Sequence, residues 1–251
     1  MNANVLLIPV MLPLVGGIFF LLIPKKIRWF REVLAILIAA LSTISAFLIF
    51  FREIPDLHYD FLEFEQFNLH LDMITSPMSG FILIFITGFV FLVSIYSLSY
   101  FSRDDTPKEY PAFILFALGG SCGVVTADHF LLFLIFWEIV TVSLYFLICT
   151  GGKDARKGAT KTFAMLGGAD GCLILGIGLC WFMTKSFTIS SMNIPISGWM
   201  PGIAFLLMMI GAIAKAGAIP LHTWIPAAAD SAPPPVMAIL PASIDKLLGI
   251  F

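Results

Sequence analysis

"AKAGAIPLHTWIPAAADSAPPPV", residues 214–236, puts a lysine inside an apolar segment and follows it with a histidine, a tryptophan and a crowd of prolines. The surroundings make that lysine costly. Of 251 residues, 59% are hydrophobic and 12% charged, which places the chain among integral membrane proteins. Its apolar runs reach about 18 to 25 residues, enough to cross a hydrocarbon core of roughly 30 Å. Backbone groups in lipid must be satisfied internally, so these runs are helices.

Eight candidate spans follow: about 4–23, 33–51, 77–100, 110–127, 129–149, 159–184, 201–221 and from 235 to the end. The loops "KKIRWFRE" (25–32), "SRDDTPKE" (102–109) and "KDARKGATK" (153–161) fall on one side and all carry basic residues. That side is cytoplasmic by the excess of Lys and Arg, and the N-terminus is outside. The first apolar run has no basic residue before it and two lysines after it, the reverse of a secretory signal peptide. The reading is a multi-pass protein of the cell inner membrane, with residues 1–251 as one membrane domain.

On the outer side, loop 52–75 carries six carboxylates against one arginine. Within it "FNLHLDM" alternates apolar and polar residues with the period of a half-buried strand, so a short β-hairpin is expected. His58 and His70 read as solvent-side residues of that loop rather than metal ligands. Glycine pairs at 119 and 120 and at 167 and 168, with Gly171, read as close helix contacts. The four cysteines form no CxxC pair and read as packing residues. A net charge of −2 argues against a nucleic-acid partner. No iron–sulfur, haem or nucleotide motif is present, so neither a cofactor nor a metal is expected.

Ionisable residues inside spans are the informative ones, because each is costly unless paired or hydrated. Glu138 in "FLIFWEIVTVSLYF" lies roughly 15 Å deep and Lys215 roughly 20 Å deep, at ~1.5 Å per residue. Asp170 and Lys246, counted from the opposite face, come out at roughly 13 and 16 Å. Two acids and two bases on four helices thus share one level, which is a proton-handling geometry. Burial disfavours an ammonium and a neighbouring carboxylate favours it, so moving the partner changes the proton affinity. The plainer alternative is a static Glu138–Lys215 pair that fixes helix register. Asp170, beside Gly171, has the alternative of bonding a neighbouring backbone. Asp245 adjoins Lys246 and points to a different helix face.

Pro220 cannot donate to the carbonyl of Ala216, so the helix carrying Lys215 is expected to break there and free carbonyls for water. His222 beyond the break is a candidate proton relay. The alternatives are a loop role for His222 and an interfacial anchor for Trp224.

At these residues the chain resembles a known family. "AKAGAIPLHTWIPAA" is similar to the signature of the antiporter-like membrane subunits shared by respiratory complex I, Mrp-type sodium/proton antiporters and energy-converting membrane-bound hydrogenases. The likeness continues through "FWEIVTVSLYFLI", "KTFAMLGGADGCLILG" and "ASIDKLLGIF". The resemblance implies that Glu138 and Lys215 are the family's glutamate and central lysine, that Asp170 accompanies them, and that Lys246 passes protons to a second half-channel. Two positions depart from the pattern: Pro241 stands where many relatives have a histidine, and Gly167 where many have an arginine. The implied fold is all-α, the first half of a fourteen-helix architecture with a broken seventh helix.

The expected function is a proton- or sodium-translocating membrane subunit of a multi-subunit redox-driven complex. The alternatives are an Mrp-type secondary antiporter subunit and a non-conducting structural subunit. Expected partners are other membrane subunits, the lipid bilayer, and a second polypeptide that completes a split antiporter-like fold.

Overall fold

The computed structural model describes residues 3–24, 28–52, 54–64, 67–101, 107–194, 196–240, 248, 249 and 251. Helices α1 (Ile8–Leu22, entered through a 3₁₀ turn at Ala3–Leu7), α2 (Arg28–Phe51), α3 (Pro77–Tyr100), α4 (Tyr110–Thr126), α5 (Phe130–Cys149), α6 (Ala155–Thr184) and α7 (Met200–Ala216) follow the expected apolar runs. Two short helices, α8 (Trp224–Ala229) and α9 (Pro234–Ile239), come after the break. Among the described residues, five segments are long and apolar enough to cross a membrane: Ala3–Leu22, Trp29–Phe51, Pro77–Tyr100, Phe130–Cys149 and Ala155–Thr184. The apolar α4 and α7 have 17 residues each, about 25 Å of helix. Of the last expected span, Pro234–Ile239 is helical, while 241–247 lie outside the described residues.

Helix α4 is the centre of the N-terminal half, buried along nearly its whole length and packed by α1, α3 and α5. A Cβ on Gly119 would lie 2.8 Å from the Val10 carbonyl oxygen, and one on Gly123 2.4 Å from the Phe136 ring. Small residues let these backbones approach, which is how helices gain packing in lipid, where burial from water is no driving force. Large apolar side chains of α1, α2 and α3, such as Leu22, Leu37 and Leu92, face outward, as a lipid-facing surface requires.

The glycines of α6 correct the sequence reading. Nothing among the described residues lies within 4 Å of a Cβ at Gly167, Gly168 or Gly171. The stripe that meets α7 is instead Ala169, Leu173, Gly176 and Cys180, at helical spacing. A Cβ on Gly176 would sit 2.6 Å from Met208 Cγ, and one on Gly211 2.8 Å from Leu173 Cβ. Residues 167, 168 and 171 lie off that stripe.

Strands β1 (Leu57–Phe64) and β2 (Phe67–Met73) form the antiparallel hairpin, with a register irregularity between Asp60 and Leu62. The end of β2 is stitched to the chain entering α5. Ile74 N–H donates to the Thr126 carbonyl at 2.9 Å, and Asp128 N–H to the Asp72 carbonyl at 2.8 Å. The loop after α6 joins through Ile189 N–H to the Asp128 carbonyl and Phe130 N–H to the Phe187 carbonyl. This hairpin face is where α5 begins and α6 ends.

Candidate functional site

Helices α5, α6 and α7 run alternately down, up and down from the hairpin face, and the middle turns of α5 and α6 meet the last turn of α7. Lys215 is on the last turn of α7 and is 0% exposed. A helical side chain leans toward its own N-terminus, so the Lys215 stem reaches back toward the level of Thr141 on α5. Lys215 Nζ donates to Thr141 Oγ1 at 2.6 Å and to the Trp137 carbonyl at 3.1 Å. It also lies 4.2 Å from the centroid of the Trp137 ring, within range of a cation–π contact.

Asp170 of α6, 2% exposed, meets the same two residues from the other side. Its Oδ1 accepts from Trp137 Nε1 at 2.6 Å, and its Oδ2 is 3.1 Å from Thr141 Oγ1. Trp137 and Thr141, one turn apart on α5, thus carry both contacts. Buried charges survive only with such partners, because an uncompensated one costs several kcal/mol. Glu138, next to Trp137 and partly buried, interacts through charge with Asp170 and Lys215. The hydrogen bonds described for Lys215 go to Thr141 and Trp137 and form a threonine-centred contact.

The helix break is real, but Pro220 does not start it. Gly217 adopts φ +69°, a left-handed conformation that costs glycine little. Gly217 N–H donates to the Ala214 carbonyl, and Ala218 N–H reaches back to the Ile213 carbonyl at 3.0 Å. This is the paired closure of a Schellman cap. Trp224 Nε1 also donates to the Ala214 carbonyl at 2.9 Å. The Ile213 and Ala214 carbonyls at the end of α7 are therefore satisfied inside the protein. Pro220 lies three residues beyond the cap, joined to Ile219 by a cis peptide bond. Trp224 is buried rather than an interfacial anchor. His222 is in the same turn, with Nδ1 buried and without a hydrogen-bond partner among the described residues. Lys246, Asp245 and Pro241 lie outside the described residues.

A cavity of about 550 Å³ is lined by Ser76 and Asp128 at the hairpin face and by Trp137, Leu173 and Ala212 farther in. Its wall is mostly apolar, so it offers room but few proton-carrying groups. Among the described residues, no group of three or more His, Cys, Asp or Glu side chains is placed to hold a metal ion.

Sequence reasoning missed Thr141 and the double role of Trp137. The available signal was spacing: Thr141 follows Trp137 by four residues and Glu138 by three, one helical stripe.

Residues 127–251 match the family described as NADH:quinone oxidoreductase/Mrp antiporter, TM. The chain is 29% identical over 254 residues to the chloroplastic NAD(P)H-quinone oxidoreductase subunit 5 of Physcomitrium patens, covering 94% of this chain and 35% of that protein. A chain of the Mrp complex from a Dietzia species superposes with a TM-score of 0.84 at 21% identity, over 98% of this chain and 27% of that one. A chain of respiratory complex I from Thermus thermophilus gives 0.80 at 18% identity, over 99% and 51%. These two likenesses show the fold. The chain spans about a third of the length of the curated relatives it matches.

Proposed function

Because the chain belongs to the antiporter-like membrane subunits of the NADH:quinone oxidoreductase/Mrp family, we propose that it translocates protons, or sodium ions, as one membrane subunit of a multi-subunit redox-driven complex. The observation that carries this reading is the unexposed Lys215 ammonium, held by Thr141 and Trp137 beside Asp170 and Glu138. A fixed register pin needs one good partner. Here a lysine and two carboxylates from three helices converge, so a shift of one charge alters the proton affinity of the others.

In the proposed cycle Lys215 is the carrier. A charge displacement elsewhere in the complex changes the field at Glu138, the ammonium loses stabilisation, and its proton leaves. Asp170 is the near acceptor, Lys246 passes the proton onward, and His222 serves the far side of the Gly217 break, in the turn that holds Pro220. The membrane proposed is the cell inner membrane, with the N-terminus outside from the basic loops.

Glu138→Gln in the assembled complex tests the reading. Inverted vesicles with a pH-sensitive dye should show proton uptake reduced about a hundredfold, the lower end of what a positioned proton-handling group contributes. A scaffold subunit would leave uptake and assembly unchanged. Repeating the assay with radiolabelled sodium separates the two ions, and driving it by an imposed ion gradient without electron donor separates a secondary antiporter from a redox-driven pump.

A further inference from the structure

We propose that the Thr141 hydroxyl is the proton bridge between Lys215 and Asp170, and that its rotation opens and closes that bridge. The inference rests on the reading of Lys215 as a carrier, and goes beyond it by assigning the step that moves the proton off the lysine.

A threonine hydroxyl carries one hydrogen and accepts through its lone pairs. Thr141 Oγ1 accepts from Lys215 Nζ at 2.6 Å. Its own hydrogen has two competing acceptors at nearly equal range, Asp170 Oδ2 at 3.1 Å and the Trp137 carbonyl one turn back at 3.2 Å. Turned toward Asp170, the hydroxyl completes a line from Nζ through Oγ1 to Oδ2. Turned toward the Trp137 carbonyl, it makes the back-bond common to helical threonines, and the line is broken. The switch costs a rotation about one C–O bond and no movement of heavy atoms.

Along the closed line, Nζ–H gives its proton to Oγ1 while Oγ1–H gives its own to Oδ2. The ammonium becomes an amine, the carboxylate becomes a carboxylic acid, and the threonine is regenerated with a new hydrogen. Atoms balance, and a +1/−1 pair becomes two neutral groups. That redistribution suits buried groups, for which separated charges are costly. Trp137 positions both ends: its carbonyl takes Lys215 at 3.1 Å, and its indole N–H holds the other oxygen of Asp170 at 2.6 Å. The second Asp170 oxygen is thereby left facing the hydroxyl.

The switch has an electrostatic lever in Glu138, three residues before Thr141, whose carboxylate couples to both Asp170 and Lys215. Charge on Glu138 favours the ammonium and disfavours charge on Asp170. Its displacement therefore changes which end of the line holds the proton.

The test uses Thr141→Val, which keeps the shape and removes the hydroxyl, and Thr141→Ser, which keeps the hydroxyl, both in the assembled complex. Proton uptake into vesicles is expected to fall at least about tenfold in the Val variant and to stay within about twofold of the parent in the Ser variant. Infrared difference spectra give a second readout: the carboxylic-acid band that Asp170→Asn removes should form in the parent and Ser proteins and be delayed in the Val protein. If Thr141→Val fails to assemble, the smaller Thr141→Ala replaces it with the same outcomes. Parent-level uptake and an undelayed band in the hydroxyl-free variant, while Lys215→Met is inactive, would overturn the bridge alone. Parent-level uptake in Lys215→Met would overturn the carrier reading and the bridge with it.

Discussion

Two groups of carboxylates in this molecule are treated in opposite ways. At the hairpin face, Asp128 accepts from Ser190 N–H at 2.8 Å and from Ser190 Oγ at 2.5 Å, and Asp72 meets the exposed His58 at 2.9 Å. Their backbones are tied to one another and to the loop after α6. These acids fasten the ends of helices together, and no buried ammonium faces them among the described hydrogen bonds. Where the middle turns of α5 and α6 meet the last turn of α7, Asp170 faces Lys215 across one hydroxyl. A carboxylate held by a serine and a backbone amide has nowhere to send a proton. One that shares a threonine with a buried lysine has.

The largest expected break in this contrast is at Lys215. Lys215→Met should abolish proton uptake in vesicles while the complex still assembles, since methionine fills similar apolar space without the charge. Next comes Asp170→Asn, whose carboxamide oxygen can still accept from Trp137 and whose N–H can donate to Thr141, but which takes up no proton. Uptake should fall about tenfold to a hundredfold, whereas the equivalent change at the rim, Asp128→Asn, should lower thermal stability and leave uptake per assembled complex near that of the parent.

Gly217→Ala should act on stability first. The left-handed backbone alone costs an L-residue about 1–2 kcal/mol, and a Cβ there would meet Ile225 Cδ1 at 2.2 Å. Thermal unfolding in detergent measures the loss. Pro220→Ala, three residues past the cap, should cost less.

The smallest effect is expected at His58. Its hydrogen bond to Asp72, reinforced by the charges of Asp72, Asp56 and Asp128, raises its pKa above the ordinary imidazole value, with partial burial opposing. A raised pKa means that the folded state binds the proton more tightly than the unfolded chain. The stabilisation is therefore complete below the unfolded value of about 6.5 and is lost as pH rises through the folded one. Because the imidazole is largely exposed, His58→Gln should flatten this dependence by only on the order of one degree in Tm.

Much of the architecture was legible before any coordinates. Apolar runs long enough for a bilayer became helices α1 to α7, and the alternation in "FNLHLDM" became β2. The level shared by Glu138, Asp170 and Lys215 followed from rise per residue. Helix rotation did not, because it depends on which neighbours a helix acquires. Gly167, Gly168 and Gly171 looked like a contact face, yet Ala169, Leu173 and Gly176 face α7. The same uncertainty hid Thr141, since a threonine in an apolar helix ordinarily bonds its own backbone. The break was placed at Pro220 because proline is the stronger sequence signal, whereas the chain had already turned at Gly217.

The central claim is that Lys215 loads and unloads a proton. Lys215→Arg tests it most directly, because it keeps a positive charge and hydrogen-bond donors at the site while guanidinium stays protonated in proteins. Proton uptake should be measured in vesicles containing the assembled Arg variant, under the conditions that drive the parent. The expected result is uptake at the level of Lys215→Met with assembly intact; uptake at the parent level would contradict a carrier role and leave the site as a fixed charge that holds α5, α6 and α7 in register.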